Sequence, residues 1–204
     1  MDEPPSLSVA FISVGSNIDP LQNVTAALIA LLKKESVVSS STFYQTEPLG
    51  DESQPRFVNG VWQIETALSP RQIKSRLLQP IEESLGRRRT ADKFAPRTID
   101  LDLLLYNDLV VDEADLTLPH PDLARPFVHL PVRELLDRDG SGVDANLRDR
   151  IVGLLPAHTS RPGDVLAEFT KQLARLVQQA ARQRALERAA TRPSRSEPGS
   201  PGRT

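Results

Sequence analysis

Asp100 and Asp102 are the residues of this chain most in need of explanation, because they interrupt the apolar run from Thr98 to Tyr106. Successive side chains of a strand alternate between faces, so residues two apart share one. Two carboxylates side by side repel one another and lose hydration if covered. A hard divalent cation relieves both costs, since Mg²⁺ takes few carboxylates and leaves its other positions to water and substrate phosphate. The plainer alternative is a solvent-facing edge strand with two ordinary acids. The preceding connection favours the cation. Arg87, Arg88, Arg89, Lys93 and Arg97 crowd the segment from Gly86 to Arg97, and guanidinium forks grip phosphate oxygens in pairs. Carboxylates beside arginines can hold a metal-bound polyphosphate. The competing reading, a solvated basic loop that pairs with those acids, stays open, most of all for Arg88.

Two further places can do chemistry. His120 lies between prolines in Leu118-Pro119-His120-Pro121. The prolines restrict the backbone and aim the imidazole, which beside a phosphate pocket can donate to a phosphoryl oxygen. Phe57 and Asn59 are two apart on a predicted strand and share a face. An aromatic ring beside a side-chain amide suits a flat heterocycle, although Phe57 taken alone reads as core. His129 and His158 read as structural.

The composition excludes other chemistries. The 204 residues include no cysteine and three histidines, which removes a disulfide scaffold, a thiolate zinc site, a cysteine nucleophile and an all-histidine cage. No apolar run approaches the length of a membrane span. Met1 to Pro5 is acidic and lacks a signal-type pattern, so a cytoplasmic protein is expected. Net charge is −2, unevenly spread: residues 161–204 carry nine Lys/Arg against four Asp/Glu, and residues 1–160 carry sixteen against twenty-three. An acidic body argues against a general nucleic-acid surface, which needs clustered cations. No P-loop, dinucleotide fingerprint or protein-kinase signature is present.

The elements that must position these residues follow from periodicity. Leu7 to Val14 reads as a buried strand ending at the turn cluster Gly15-Ser16-Asn17. Asp19 is a predicted cap, with Pro20 in the first turn, for a helix carrying Leu21, Val24, Leu28, Leu31 and Leu32. A strand is expected over Val37 to Tyr44, a loop over Gln45 to Pro55, and a strand over Phe57 to Thr66. Ser69-Pro70 opens a second helix to about Leu85, and the aspartate strand closes a β-α-β-β-α-β order. This is the ferredoxin-like arrangement, an α+β fold with an antiparallel sheet and helices packed on it. Leu109 to Val111 reads as a short strand, Leu118 to Pro131 as irregular chain, Val132 to Leu136 as the start of a short helix, and Asp137 to Asp144 as a turn. From Pro162 a helical stripe of Val165, Leu166, Phe169, Leu173, Leu176, Val177 and Ala180 follows. The expected organisation is a domain over 1–160, an amphipathic helical extension over 161–191, and a tail over 192–204 whose Pro, Ser, Gly, Arg and Glu composition predicts disorder.

The run Lys93-Phe94-Ala95-Pro96-Arg97-Thr98-Ile99-Asp100-Leu101-Asp102-Leu103-Leu104 resembles the signature of the 6-hydroxymethyl-7,8-dihydropterin pyrophosphokinase family of folate synthesis. Further segments match in order: Val14-Gly15-Ser16-Asn17; Tyr44 to Gly50 with Gln54 to Asn59; and Leu118 to Pro121 with Arg125 to Val128. The resemblance covers about Ser8 to Leu136. It implies a ferredoxin-like fold, ATP as co-substrate, two Mg²⁺ ions, and transfer of a pyrophosphoryl unit to the pterin hydroxymethyl group with release of AMP. By position it implies Asp100 and Asp102 as metal ligands and Arg87, Arg89 and Arg97 as phosphate-contacting or loop arginines. Gln79, Leu103, Thr117, His120 and Arg125 fall at nucleotide positions. Phe57 and Phe127 match the two aromatics that sandwich the pterin; Asn59, with the chain at Thr46 and Leu49, matches the groups that read its polar edge. Glu82 matches a helix acid near the site. The loops over 45–56 and 86–97 are candidate lids.

The chain departs from the family pattern at Phe94, commonly Trp, at Ala95, usually Gly, and at Asp115, basic in some members. Ala124 stands where an acid often precedes the arginine. A non-catalytic pterin- or nucleotide-binding module of the same fold is the alternative. Its discriminating feature is the metal-and-phosphate set, and Asp100, Asp102 and Arg97 are all present. The C-terminal helix is expected to pack on the domain, with a protein contact as its other use.

Overall fold

The computed structural model describes residues 7–88, 95–138, 142–157 and 162–190. The expected tail over 192–204, Arg89, Lys93, Phe94 and His158 lie outside them. The central strand β1 (Ser8–Ser16) is buried on both faces and pairs antiparallel with β4 (Phe57–Thr66) on one side and β5 (Asp100–Tyr106) on the other. Beyond β4 lie β2 (Ser36–Ser40) and β3 (Tyr44–Thr46), and β8 (Asp164–Val165) pairs with the outer side of β3. The order β5-β1-β4-β3-β8, with β2 also on β4, is that of an antiparallel ferredoxin-like sheet whose second strand is broken in two.

The expected single strand over Val37 to Tyr44 is therefore corrected. Its register shifts between Val37 and Ser39. The chain leaves the ladder at Ser41, whose N–H donates to Val61 O at 2.9 Å while its hydroxyl accepts from Val61 N. Phe43 then turns fully into the core against Gly60, where any Cβ would stand 2.6 Å from its ring. The β1 strand also runs further than expected, through Gly15 and Ser16.

One face of the sheet receives α1 (Pro20–Leu32), α2 (Pro70–Gln72), a π-helical stretch (Ile73–Leu78), α3 (Gln79–Ser84) and the long α6 (Ala167–Ala190). Ala10, Ile12 and Val14 of β1 meet Val24, Leu28, Leu77, Ile81 and Leu173 there. Asp19 does not cap α1: it sits in the left-handed region (φ 42°) with no side-chain bond to the helix. Ser69 does cap α2, in a reciprocal box with Gln72. The π stretch precedes Pro80, which has no N–H and whose ring would collide with the carbonyl four residues back; Gln79 N–H instead reaches Lys74 O.

The other face receives α4 (Pro126–Leu136) and α5 (Ala145–Leu154). Phe11, Val61 and Leu104 pack there against Val132, Leu135 and Ile151. Residues 118–131 are thus not irregular throughout. A 3-10 turn (Pro121–Ala124) leads into α4, with Pro126 in its first turn and Pro131 inside it. His129 is buried, as its structural reading requires, its Nδ1 3.0 Å from Leu123 O. The strand expected at Leu109 to Val111 is β6 (Val111–Glu113), in a hairpin with β7 (Leu116–Leu118). The expected helical stripe from Pro162 begins only at Ala167; Val165 lies in β8 and is exposed.

Candidate functional site

Side-chain alternation decides where the polar residues face. On β5, Asp100, Asp102 and Leu104 share a face, and Phe57, Asn59 and Val61 share one on β4. Leu104 and Val61 belong to the core beneath α4 and α5. The same two rows, continued beyond the N-terminus of α4, form the wall of an open cavity. Its volume is about 520 Å³, and Ser13, Gly15, Phe57, Asn59, Asp100 and Asp102 line it from the sheet. Thr46, Glu47 and Leu49 close it on the β3 side, Arg87 and Arg97 beside β5, and Arg125 and Phe127 at the start of α4. The size suits a small ligand.

The charged side is an arginine–aspartate cluster. Asp100 accepts from Arg97 Nη1 at 2.5 Å and from Arg87 Nη2 at 3.2 Å. The Arg97 guanidinium also lies 5.6 Å from the Phe57 ring centre, within cation–π range. Glu82, buried at 3% exposure, accepts from Leu101 N at 2.9 Å and so fixes β5 between the two aspartates. On the opposite wall, Asn59 Nδ2 donates to Thr46 Oγ1 at 2.8 Å, and the Arg125 guanidinium lies 5.9 Å from the Phe127 ring centre.

Sequence reasoning missed Gly15 and Asn17 as site-building residues. A Cβ on Gly15 would stand 2.9 Å from Asn59 Oδ1, so only glycine admits the amide at that height. Asn17, 2% exposed, ties the two loops together. Its Oδ1 accepts from Arg97 N at 2.7 Å, and its Nδ2 donates to Gln54 Oε1 and Pro55 O, each at 3.3 Å. The available signal was a buried-strand end carrying Gly-Ser-Asn, read as a turn and as a segment matching the family, with no site role given to either residue.

A second cavity of about 300 Å³ lies beside the edge strand β5, and Asp102 lines both cavities. Gln79, Leu103, Thr117 and His120 meet there with Lys74, Glu82 and Asp115. His120 Nδ1 accepts from Asp122 N at 3.2 Å, which leaves the proton of a neutral ring on Nε2 as a donor. Asp115 does not confront the cavity as a bare charge. Arg71 binds it, and that guanidinium holds its carboxyl below the usual carboxylate range. The Lys74 ammonium donates to Asp115 O. Arg125, placed by the resemblance among nucleotide contacts, lines the first cavity rather than the second. Arg89 lies outside the described residues.

Comparison with known proteins decides the family. A model of the 7,8-dihydro-6-hydroxymethylpterin-pyrophosphokinase family matches residues 11–137. The chain belongs to this family. It is 42% identical over 130 residues to 2-amino-4-hydroxy-6-hydroxymethyldihydropteridine pyrophosphokinase of Haemophilus influenzae, covering 62% of this chain and 80% of that one. Its identity to the enzyme of the same name from Bacillus subtilis is 37% over 132 residues, covering 63% and 78%. It is also 40% identical over 150 residues to the folic acid synthesis protein fol1 of Schizosaccharomyces pombe, covering 64% of this chain but only 20% of that longer protein. The pyrophosphokinase match contains every residue of both cavities.

The donor set suits the metal typical of the family. Among the described residues no group of three or more His, Cys, Asp or Glu is gathered as for a closed metal cage. Asp100 and Asp102 offer hard oxygens on a cavity wall and leave a cation's other positions to water and phosphate, as Mg²⁺ requires.

Proposed function

We propose that the chain transfers the pyrophosphoryl unit of ATP to the hydroxymethyl oxygen of 6-hydroxymethyl-7,8-dihydropterin and releases AMP, a step of folate synthesis. The observation that carries this reading is Asp102 on the wall shared by the two cavities. One cavity presents aromatic faces and an amide for a heterocycle; the other presents groups suited to a nucleotide. A carboxylate pair and two arginines stand at the seam.

The pterin ring enters the first cavity between Phe57 and Phe127, and its polar edge is read by Asn59 and by the chain at Thr46 and Leu49. ATP occupies the second cavity, contacted by Gln79, Leu103, Thr117 and the His120 donor, with its β- and γ-phosphates reaching toward Asp102. Arg125 acts from the pterin side, and Arg89 joins the phosphate-contacting set from the 86–97 loop. Asp100 and Asp102 would hold the two Mg²⁺ ions, whose positive charge would offset the negative charge of the phosphates.

The chain's own work is positioning and charge neutralisation, the largest contributions to such transfers. Arg87 and Arg97, bonded to Asp100 in the structure, turn their forks to the phosphate oxygens when polyphosphate enters. Asn17 keeps the bases of the two loops in register so that both close over one cleft and exclude water. The catalytic unit spans 1–160, and the chain over 161–191, which carries β8 and α6, is an extension of it.

The test is chromatography of nucleotides after incubating the purified chain with ATP and Mg²⁺, with and without the pterin. Pterin-dependent AMP is expected. Pterin binding without AMP would instead support the non-catalytic module.

A further inference from the structure

The family match ends at residue 137, yet the chain beyond it is built into the same core. Phe169, Leu173 and Val177 of α6 join the cluster that holds Ile12, Trp62 and Phe43. The Phe169 ring meets Phe43 edge-on, with centroids 5.7 Å apart at 84°. The segment leading into α6 also supplies the outer partner of β3. Val165 pairs with Tyr44 and Asp164 with Gln45. Leu166 N donates to Phe43 O, and Phe43 N donates to Thr170 Oγ1, both at 2.9 Å. Gly163 lies flat on this edge. Its φ is 145°, and a Cβ there would stand 2.5 Å from Gln45 O and 3.1 Å from the Thr46 methyl. Asp164 Oδ2 accepts from Arg56 Nη2 at 3.0 Å, and Arg56 Nε pairs with Glu47 at 2.8 Å. One guanidinium thereby joins the extension to both ends of the 47–56 loop.

We infer that Gly163 and Asp164 are positioning residues for the heterocycle side of the cleft. The inference rests on the assignment of pterin to the first cavity. A three-residue edge strand frays readily without a partner. Fraying of β3 would carry Thr46 away from Asn59 and loosen Glu47 and Leu49 at the cavity lip. The nucleotide cavity lies beside β5, at the opposite edge of the sheet from β8. Disturbing the extension at its first residues therefore weakens pterin binding and leaves ATP binding alone.

Gly163→Ala, Asp164→Ala, Asp164→Glu and Leu173→Ala in the full chain test this. The readouts are the KM for each substrate, pterin affinity by direct titration, Tm, and amide exchange of residues 44–46. Asp164→Ala should raise the pterin KM roughly three- to fivefold, the scale of a partly exposed ion pair. Gly163→Ala should raise it further. Both should speed exchange at Tyr44 to Thr46 and leave kcat and the ATP KM unmoved, and Asp164→Glu should recover part of what Asp164→Ala loses. Leu173→Ala should lower Tm while sparing the pterin KM. The inference is overturned by a pterin KM unmoved in Gly163→Ala and Asp164→Ala, by both KM values rising together, or by Leu173→Ala reproducing the effect. An unaltered chain that forms no pterin-dependent AMP would count against the pyrophosphokinase reading instead, and exchange at 44–46 would still decide whether the extension holds the edge.

Discussion

Arg97→Ala removes a guanidinium from the seam between the cavities at little cost to the fold. The loop is anchored there through the Arg97 backbone: its N–H donates to Asn17 Oδ1 at 2.7 Å, and its carbonyl accepts from Asn17 N at 3.1 Å and Ile18 N at 3.2 Å. Truncation leaves these bonds in place. It removes the cation over Phe57, worth about 0.5–1 kcal/mol, the long Nε bond to Ala95 O at 3.3 Å, and the bond to Asp100, whose second partner Arg87 remains at 3.2 Å. The stability loss should total about 1–2 kcal/mol. Turnover should suffer far more. One preorganised donor aimed at developing charge supplies about 3–4 kcal/mol, and about 1.4 kcal/mol is a decade of rate. Pterin-dependent AMP formation at saturating substrates should therefore fall about 10²- to 10³-fold. Arg97→Lys, which keeps the charge and loses the fork, should recover part of it. A kcat within about twofold of the unaltered enzyme, or activity that merely follows the folded fraction, would refute the argument.

Asp102→Ala should abolish turnover and keep a cooperative melt, because Asp102 lines both cavities; full activity in that variant would remove the metal assignment. Gly60→Ala should cost about 1–3 kcal/mol, since its Cβ would overlap the fully buried Phe43 ring at 2.6 Å, and an unchanged denaturation midpoint would contradict this. Burial pushes the Glu35 carboxyl above its ordinary value of 4.5, only partly offset by the Thr66 hydroxyl and Arg184. The folded chain then binds that proton to higher pH than the unfolded chain, so stability declines as pH rises from about 4.5 through the raised value. Glu35→Gln should melt higher than the unaltered chain at pH 7 and lose that advantage at pH 4; an equal Tm difference at both would show that Glu35 is not the group concerned.

The framework of the site was legible because alternation and turn chemistry are local. The strand over Phe57 to Thr66 starts and ends where its pattern does, and the shared face of Asp100 and Asp102 follows from the pleat alone. What could not be read depended on distant partners. The break between Ser40 and Tyr44 exists because Phe43 enters space left by Gly60. The α4 helix was hidden by its own prolines: Pro126 favours a first turn, but Pro131 argues against an interior. The α5 helix had a signal that went unused, the Asp144 cap accepting from Leu147 N at 2.9 Å. The two residues of β8 carry no strand pattern at all, and only their bonding to β3 makes them one.

In the proposed reaction the transferred unit contains both the β- and γ-phosphorus of ATP. Phosphorus NMR of the products tests this directly. AMP together with a pterin ester bearing two coupled phosphorus resonances is expected, formed only when ATP, Mg²⁺ and the pterin are all present. ADP with a pterin monophosphate would contradict it, as would AMP and free pyrophosphate with the pterin unchanged.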